Sequence, residues 1–220
     1  MARVLRSLAV WRIVAAGIVV FTVGQGLTSW LPSILATQGI ALSQAGVLVS
    51  ISRLLQVPGN LLITGTLARS DRTSATSMAV VSMLVVIGAS ISVILFGNHV
   101  WIAIALLVQG LALGGLLPVL ISALMNVRGV RPDDIATGAA LFFTVGQSAG
   151  AAAPIAVGWL RDTTGNFDAG LVFIISVVLA AVLPAAFIRE LRPGTAEHMS
   201  QELQAPTPRI TSRSFCKGAT

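Results

Sequence analysis

Six apolar stretches, each long enough to cross a lipid bilayer, occupy nearly all of residues 10–189 of this 220-residue chain. A helix needs about 20 mostly apolar residues to span a hydrocarbon core about 30 Å thick. None of the stretches shows the period-2 alternation of a barrel strand, and only helices and closed barrels satisfy every backbone group in lipid. We therefore expect an all-α membrane protein with six transmembrane helices. The predicted spans cover residues 10–30, 43–67, 76–97, 100–126, 137–160 and 168–189.

The composition favours a membrane protein over a soluble one. Hydrophobic residues make up 55% of the chain and charged residues only 10%, whereas a soluble domain carries about 25% charged residues. The exception is the segment 191–220, which is polar and contains three prolines. Because it has too little apolar surface to fold alone, we expect a disordered cytoplasmic tail that follows a six-helix domain over residues 1–190.

The basic residues predict the orientation of the chain in the membrane. Twelve of the 14 Lys and Arg residues fall on one side of the membrane if the chain spans it six times, and the opposite loops hold only Arg161. By the positive-inside rule, both termini then lie in the cytoplasm of a multi-pass cell-membrane protein. The net charge of +6 is thus a topology signal, and we expect no nucleic-acid partner.

Polar side chains inside the spans are concentrated on four of the six helices. Helices one, two, four and five carry Gln, Asn or Arg side chains, whereas the cores of helices three and six have no Gln, Asn or charged side chain, only Ser. The same division in each block of three suggests a 3+3 repeat, in which four helices form a polar interior and helices three and six face lipid. The predicted cavity-lining or substrate-binding residues are Gln25, Thr28, Arg53, Gln56, Asn60, Gln109, Thr144 and Gln147.

Arg53 is the only charge in a span that lies far from its ends. Together with Gln56, Asn60 and Thr64 it forms a narrow stripe along the second helix, at spacings i, i+3, i+7 and i+11. At a rise of 1.5 Å per residue its depth is about 15 Å, near the bilayer midplane. Two interpretations remain open: a cation that binds substrate or gates the path, and a structural arginine bonded to carbonyls or to Gln side chains.

The sequence gives little support to an enzyme. The interiors of the predicted spans contain no Asp or Glu, since Asp168 stands at the first position of the sixth span, and His99 and His198 have no acidic or cysteine partner nearby in the sequence. Metal-ligand spacings, phosphate-binding loops and nucleophile motifs are also absent from the sequence. We therefore predict no enzymatic activity, no metal site and no cofactor.

Two pairs of glycines predict where helices approach closely. Gly110 and Gly114 lie four residues apart on the fourth span, and Gly146 and Gly150 lie four apart on the fifth. Such small-xxx-small pairs let two backbones come together in a membrane. We interpret them as packing sites.

Several short motifs are shared with one transporter family. The first span ends in Trp30-Leu31-Pro32-Ser33, the second contains Pro58-Gly59-Asn60, and Gly158-Trp159-Leu160-Arg161-Asp162-Thr163-Thr164-Gly165 precedes the last helix. Over residues 8–190 the chain resembles the major facilitator superfamily, and more closely its cyanate-transporter-like branch. Arg69 stands where the family's loop signature has an aspartate, a degradation common in second halves of the family.

This resemblance implies a function and a partner. Full family members have twelve helices, so the chain resembles a carboxy-terminal half. The resemblance implies a secondary transporter of a small solute in a cell membrane, a bacterial inner membrane, working by alternating access. Helices one and four would line the cavity, and helices two and five would meet a second six-helix half or a second copy of the chain. The positive charge of Arg53 favours an anion. The alternative is a non-transporting remnant or an interaction subunit of a membrane complex.

Overall fold

The computed structural model describes residues 7–69, 73–125, 127 and 132–186. The predicted tail over 191–220 lies outside these residues, as do most of the basic residues that predict the orientation. Within the described part of the chain, six helices are long and apolar enough to cross a membrane. The prediction of an all-α protein with six spans is thereby confirmed.

The helices are longer than their apolar cores. They are α1 (Leu8–Thr37), α2 (Leu42–Leu54 continuing as Gln56–Ala68), α3 (Thr73–Phe96), α4 (His99–Met125), α5 (Pro132–Thr164) and α6 (Asp168–Ala186). The predicted ends differ most for α1, which continues beyond residue 30, and for α5, which extends beyond 137–160 at both ends. Hydropathy marks only the part of a helix that must sit in hydrocarbon, so polar helical turns outside it are not detected. Arg161 consequently lies in the last turn of α5 and not in a loop.

A π-helical segment interrupts α1 near its middle. The helix is regular over Leu8–Phe21, π-helical over Thr22–Leu27 and regular again over Thr28–Thr37. Pro32 lies inside the last part. A proline removes the hydrogen bond to the carbonyl four residues earlier, here that of Thr28, where the chain has only just left the π-helical turn. The helix continues past Pro32, as α4, α5 and α6 continue past Pro118, Pro154 and Pro184.

A proline also accounts for the break in α2. The two segments of α2 meet at Leu55, whose N–H still bonds to the carbonyl of Ile51 at 2.9 Å. Pro58 has no N–H to offer the carbonyl of Leu54, four residues before it. The interruption thus falls directly after Leu54, between Arg53 and Gln56.

The helix contacts show an approximate internal symmetry. Exchanging α1, α2 and α3 with α4, α5 and α6 maps the α1–α5 contact onto α4–α2, and α1–α6 onto α4–α3. The α1–α4 and α3–α6 contacts map onto themselves. Among the described residues the α5–α6 contact lacks a counterpart of similar extent. This pattern is that expected of two three-helix repeats related by a pseudo-twofold axis.

The bundle core is built on α1 and α4, not on the four polar helices together. In the most apolar window of each span, 56% of the residues are buried in α1 and α4 but only 6% in α2. Helices α3 and α6 have a fully buried face, with Ile87 on α3 and Ile174 on α6. Both helices also expose large apolar side chains, such as Phe96 on α3 and Leu183 on α6, so the expectation that they face lipid stays a prediction. The polar side chains of α1 and α2 line an open cavity, whereas the buried core of the bundle is apolar.

The glycine pairs pack as predicted. A Cβ atom on Gly110 would lie 2.2 Å from the carbonyl oxygen of Ser52, and one on Gly114 would lie 2.2 Å from that of Gln56. Helices α2 and α4 thus touch backbone to backbone. On α5, Gly146 makes room for the Phe21 ring of α1, and Gly150 makes room for the side-chain amide of Gln25 and the Cβ atom of Phe21. These contacts hold α2 and α5 against the two central helices.

Candidate functional site

Two adjoining cavities lie between α1, α2 and α4. The open cavity has a volume of about 500 Å³, and its polar lining is supplied by Gln25, Arg53, Gln56 and Asn60. The inner recess has a volume of about 20 Å³ and is lined in part by Thr28, Ser52 and Gln109. Arg53 and Gln56 line both. The wall between the two cavities is therefore polar and carries one positive charge.

The Arg53 guanidinium is held by a backbone carbonyl. Its Nη2 donates a hydrogen bond of 2.6 Å to the carbonyl oxygen of Gly24, which lies in the π-helical segment of α1. A carbonyl has two lone pairs, so it can accept this bond in addition to one within the helix. Among the described residues this is the one hydrogen bond that Arg53 makes, and no carboxylate pairs with it. Four of its five N–H donors thus remain available.

The residue next to Gly24 connects α1 to α5. Gln25 Nε2 donates a hydrogen bond to Gln147 Oε1 on α5, and Ser29 Oγ donates to the Gln25 carbonyl at 2.6 Å. The π-helical segment is therefore bonded on one side to α2, through Arg53, and on the other side to α5. π-Helical turns inside α-helices occur frequently at functional sites. Here the segment brings polar groups of three helices into one layer.

Gln109 on α4 has an unsatisfied acceptor. Its side chain is only 6% exposed, and its Oε1 has no hydrogen-bond partner within the described residues. The neighbouring hydroxyl of Ser52 is already used, because Ser52 Oγ donates to the carbonyl of Leu106 at 2.8 Å. Burying an acceptor without a hydrogen-bond partner lowers the stability of the fold, because the acceptor gives up its hydrogen bonds to water. Gln109 lines the inner recess, while its Oε1 is closed to solvent and has no donor among the described residues.

The structure brings most of the predicted site residues together. Gln25, Arg53, Gln56 and Asn60 line the open cavity, Thr28 and Gln109 line the inner recess with Arg53 and Gln56, and Gln147 bonds to Gln25. Thr144 is the exception, since it is exposed on α5 and lines neither cavity. Thr144 precedes Gln147 by three residues, so the sequence predicts both on the same face of α5. In the structure Gln147 is the one that bonds to α1, through Gln25.

The sequence analysis missed the backbone of α1 and the hydroxyl of Ser52. A search for polar side chains cannot find the Gly24 carbonyl, because it belongs to the backbone. The two glycines on either side of Gln25, in the middle of a span, could have indicated an irregular turn. Ser52 is adjacent to Arg53 but lies off the polar stripe.

A separate polar cluster lies at the end of α5 near Gly165. Trp30 Nε1 donates to the carbonyl of Pro154 at 2.9 Å, and the Trp30 ring packs 5.7 Å from that of Phe167. The guanidinium carbon of Arg161 lies 4.9 Å from the centroid of the Phe167 ring and 5.7 Å from that of Trp30. The two motifs that most resemble the transporter family, around Trp30 and around Arg161, thus meet in one cluster. It fastens the end of α1 to α5.

The chain is similar in sequence to proteins that are named as transporters. No protein-family model matches the chain. It is 25% identical over 198 residues, 88% of its length, to a protein of Agrobacterium vitis named "Putative tartrate transporter", and 24% identical over 194 residues to a second protein of that name and species. It is also 28% identical over 155 residues, 69% of its length, to the "Uncharacterized transporter YycB" of Bacillus subtilis strain 168.

The matched region is less than half of each relative: 43%, 44% and 37% of their lengths. Distant homologues that cover most of this chain and are named as transporters support a transport role and a multi-pass membrane protein. They also favour a non-enzymatic role.

Proposed function

We propose that this chain is one six-helix half of a secondary transporter that moves a small carboxylate anion by alternating access. The observation that carries the proposal is Arg53, whose guanidinium lines a cavity of about 500 Å³ near the middle of α2 with no carboxylate partner among the described residues. Ionisable groups inside membrane spans are costly and are retained mainly where they act on a substrate or an ion. An anion would supply the missing countercharge.

The chemistry of the open cavity fits a carboxylate. The guanidinium presents donors in a planar fork that matches the two oxygens of a carboxylate. Gln25, Gln56 and Asn60 add neutral amides that can donate to further oxygens. Two relatives carry the name of a tartrate transporter, and tartrate is a dicarboxylate. This agreement supports an organic acid as substrate.

A second six-helix bundle would complete the site. Asn60 on α2 and Gln147 on α5 are exposed on one bundle, and an unpaired polar group facing lipid costs several kcal/mol. The relatives are more than twice as long as the region they share with this chain. We propose that α2 and α5 meet a second half or a second copy, as the resemblance to the major facilitator superfamily and its cyanate-transporter-like branch implies, with both termini cytoplasmic.

The second candidate is a non-transporting subunit of a membrane complex. The observation that favours it is the exposure of α2, where apolar side chains such as Leu54, Leu61 and Leu62 stand beside the polar ones. A surface of this kind can serve a protein interface whether or not a solute crosses it. The two candidates differ in whether Arg53 affects solute movement.

The test is uptake of labelled dicarboxylate by membranes that contain the full chain, normalised to folded protein. We expect Arg53→Gln to abolish uptake and Arg53→Lys to retain part of it, because lysine keeps the charge but loses the fork. Arg161→Gln is the matched control: it also removes one arginine, but one that lies outside both cavities. It should leave normalised uptake within about twofold, the effect typical of an exposed charge.

A purely structural Arg53 gives a different result. Both Arg53 variants would then lower the amount of folded protein while normalised uptake stayed at the wild-type level. That outcome would remove Arg53 from the transport site and favour the subunit.

A further inference from the structure

We infer that the inner recess between α1, α2 and α4 binds a halide ion, chloride in the cell, which neutralises Arg53 while no substrate occupies the open cavity. This halide site is separate from the proposed carboxylate site, and it does not require that the chain moves an organic acid. The inference starts from two properties of the recess: its hydrogen-bond donors have no acceptor, and its volume is small.

Each of the three helices around the recess contributes a donor that is unused among the described residues. On α2, the Arg53 guanidinium spends one N–H on the Gly24 carbonyl and keeps four. On α4, Gln109 Nε2 makes no hydrogen bond and, unlike Oε1, is open to solvent, so it is the polar atom that Gln109 presents to the recess. On α1, the hydroxyl of Thr28 makes no hydrogen bond either. The recess therefore offers donors from three directions to one acceptor.

The charge of the recess selects an anion. Arg53 supplies a positive charge, and within the described residues no carboxylate pairs with it. Apart from the polar groups, the lining is apolar and consists of Leu31, Val49, Leu106 and Leu113 together with Gly110. Unlike charges attract more strongly in such poorly hydrated surroundings than in water, and hydrogen bonds to an ion are stronger than those between neutral groups. A cation is thus repelled and an anion is held.

The volume of the recess sets the size of the anion. It is about 20 Å³, and roughly 10–15 Å³ measured in this way is enough for one water. A chloride or bromide ion is only slightly larger than a water molecule and, because it is spherical, accepts hydrogen bonds from all sides. A whole carboxylate group, with a carbon and two oxygens, is too large and would stay in the open cavity. The recess therefore fits one monatomic anion.

The test measures halide binding to the purified full chain in detergent. The melting temperature is followed while chloride replaces methanesulfonate at constant ionic strength, since methanesulfonate is an anion too large for the recess. Binding to one site stabilises the protein in proportion to chloride below the Kd and only logarithmically above it, which gives the Kd. We expect such a curve for chloride and for bromide with the wild type, and none with Arg53→Gln, which removes the charge.

Matched variants assign the binding to the recess. Gln109→Leu removes the Nε2 donor and should raise the chloride Kd about tenfold, as expected for the loss of one hydrogen bond to an ion. Gln44→Leu makes the same substitution at an exposed position of α2 outside both cavities and should leave the Kd unchanged. Should Gln109→Leu fold poorly, Gln109→Met has an unbranched side chain of similar volume and should raise the Kd equally.

The outcomes separate the inference from the proposed function. If stabilisation by chloride is linear over the whole range, or if its Kd is the same in Gln109→Leu and the wild type, the recess holds only water and the inference is overturned. The carboxylate site still stands in that case, provided that Arg53→Gln abolishes uptake of dicarboxylate. Chloride binding that depends on Arg53 and Gln109, in a chain that takes up no dicarboxylate, would support the halide site and refute the proposed function.

Discussion

Arg53 on α2 has guanidinium N–H groups without an acceptor, and Gln109 on α4 has a side-chain oxygen without a donor. The polar stripe on α2 could be predicted from sequence because helical periodicity fixes which residues share a face. The partner of Arg53 could not, since it is a carbonyl of a π-helical turn in another helix. Nor could the unsatisfied state of Gln109, which depends on Ser52 donating to Leu106.

Trp30 gives a stability prediction at the same scale. Trp30→Phe keeps an aromatic ring but removes the N–H that bonds to the Pro154 carbonyl. We expect a loss of about 0.5–1.5 kcal/mol in the free energy of unfolding, the net contribution of one hydrogen bond, because the Pro154 carbonyl keeps its bond within α5. Trp159→Phe is the control, because Trp159 is 65% exposed and should change stability by less than about 0.5 kcal/mol. Unfolding of the purified variants in detergent measures both, and equal effects would rule out the hydrogen bond as the cause.

At the scale of the helices, hydropathy predicts how many there are but not how they end or bend. The six spans follow from the bilayer thickness. The π-helical turn in α1 and the continuation of α1 past Pro32 are backbone features that hydropathy does not encode. The glycine pairs predict close approach, but only the structure shows that Gly110 and Gly114 meet the backbone of α2 whereas Gly146 and Gly150 meet side chains of α1.

The α2–α4 contact predicts opposite effects for two glycine substitutions. In Gly114→Ala the new methyl would lie 2.2 Å from the Gln56 carbonyl oxygen, so the helices must separate, and we expect a loss of about 1–3 kcal/mol. In Gly65→Ala nothing lies within 4 Å of the new methyl, so the better helix propensity of alanine should leave stability unchanged or raise it by up to about 1 kcal/mol. Unfolding of both variants gives the comparison. A Gly114→Ala protein as stable as wild type would show that α2 and α4 are not packed this tightly.

At the scale of the whole molecule, the helix contacts follow a pseudo-twofold pattern, and few residues of α2 are buried. The face of the bundle that α2 forms is therefore uncovered. From the sequence we expected four helices to form a polar interior, whereas α2 has the smallest buried share of the six spans. A sequence does not distinguish a polar surface that is left open on one bundle from one that lies in its core. On our account the open cavity is one wall of a transport path, and a second bundle supplies the other.

The most direct test of this claim is carboxylate uptake into liposomes as a function of the mean number of chains per liposome. With fewer than one chain per liposome we expect no uptake above the level of Arg53→Gln. If the second bundle is a copy of this chain, uptake appears only once liposomes contain two or more wild-type chains; if it is a separate half, uptake appears only when that half is added. Uptake that rises in proportion to chain number from the lowest loading would show that a single bundle transports by itself and would contradict the account.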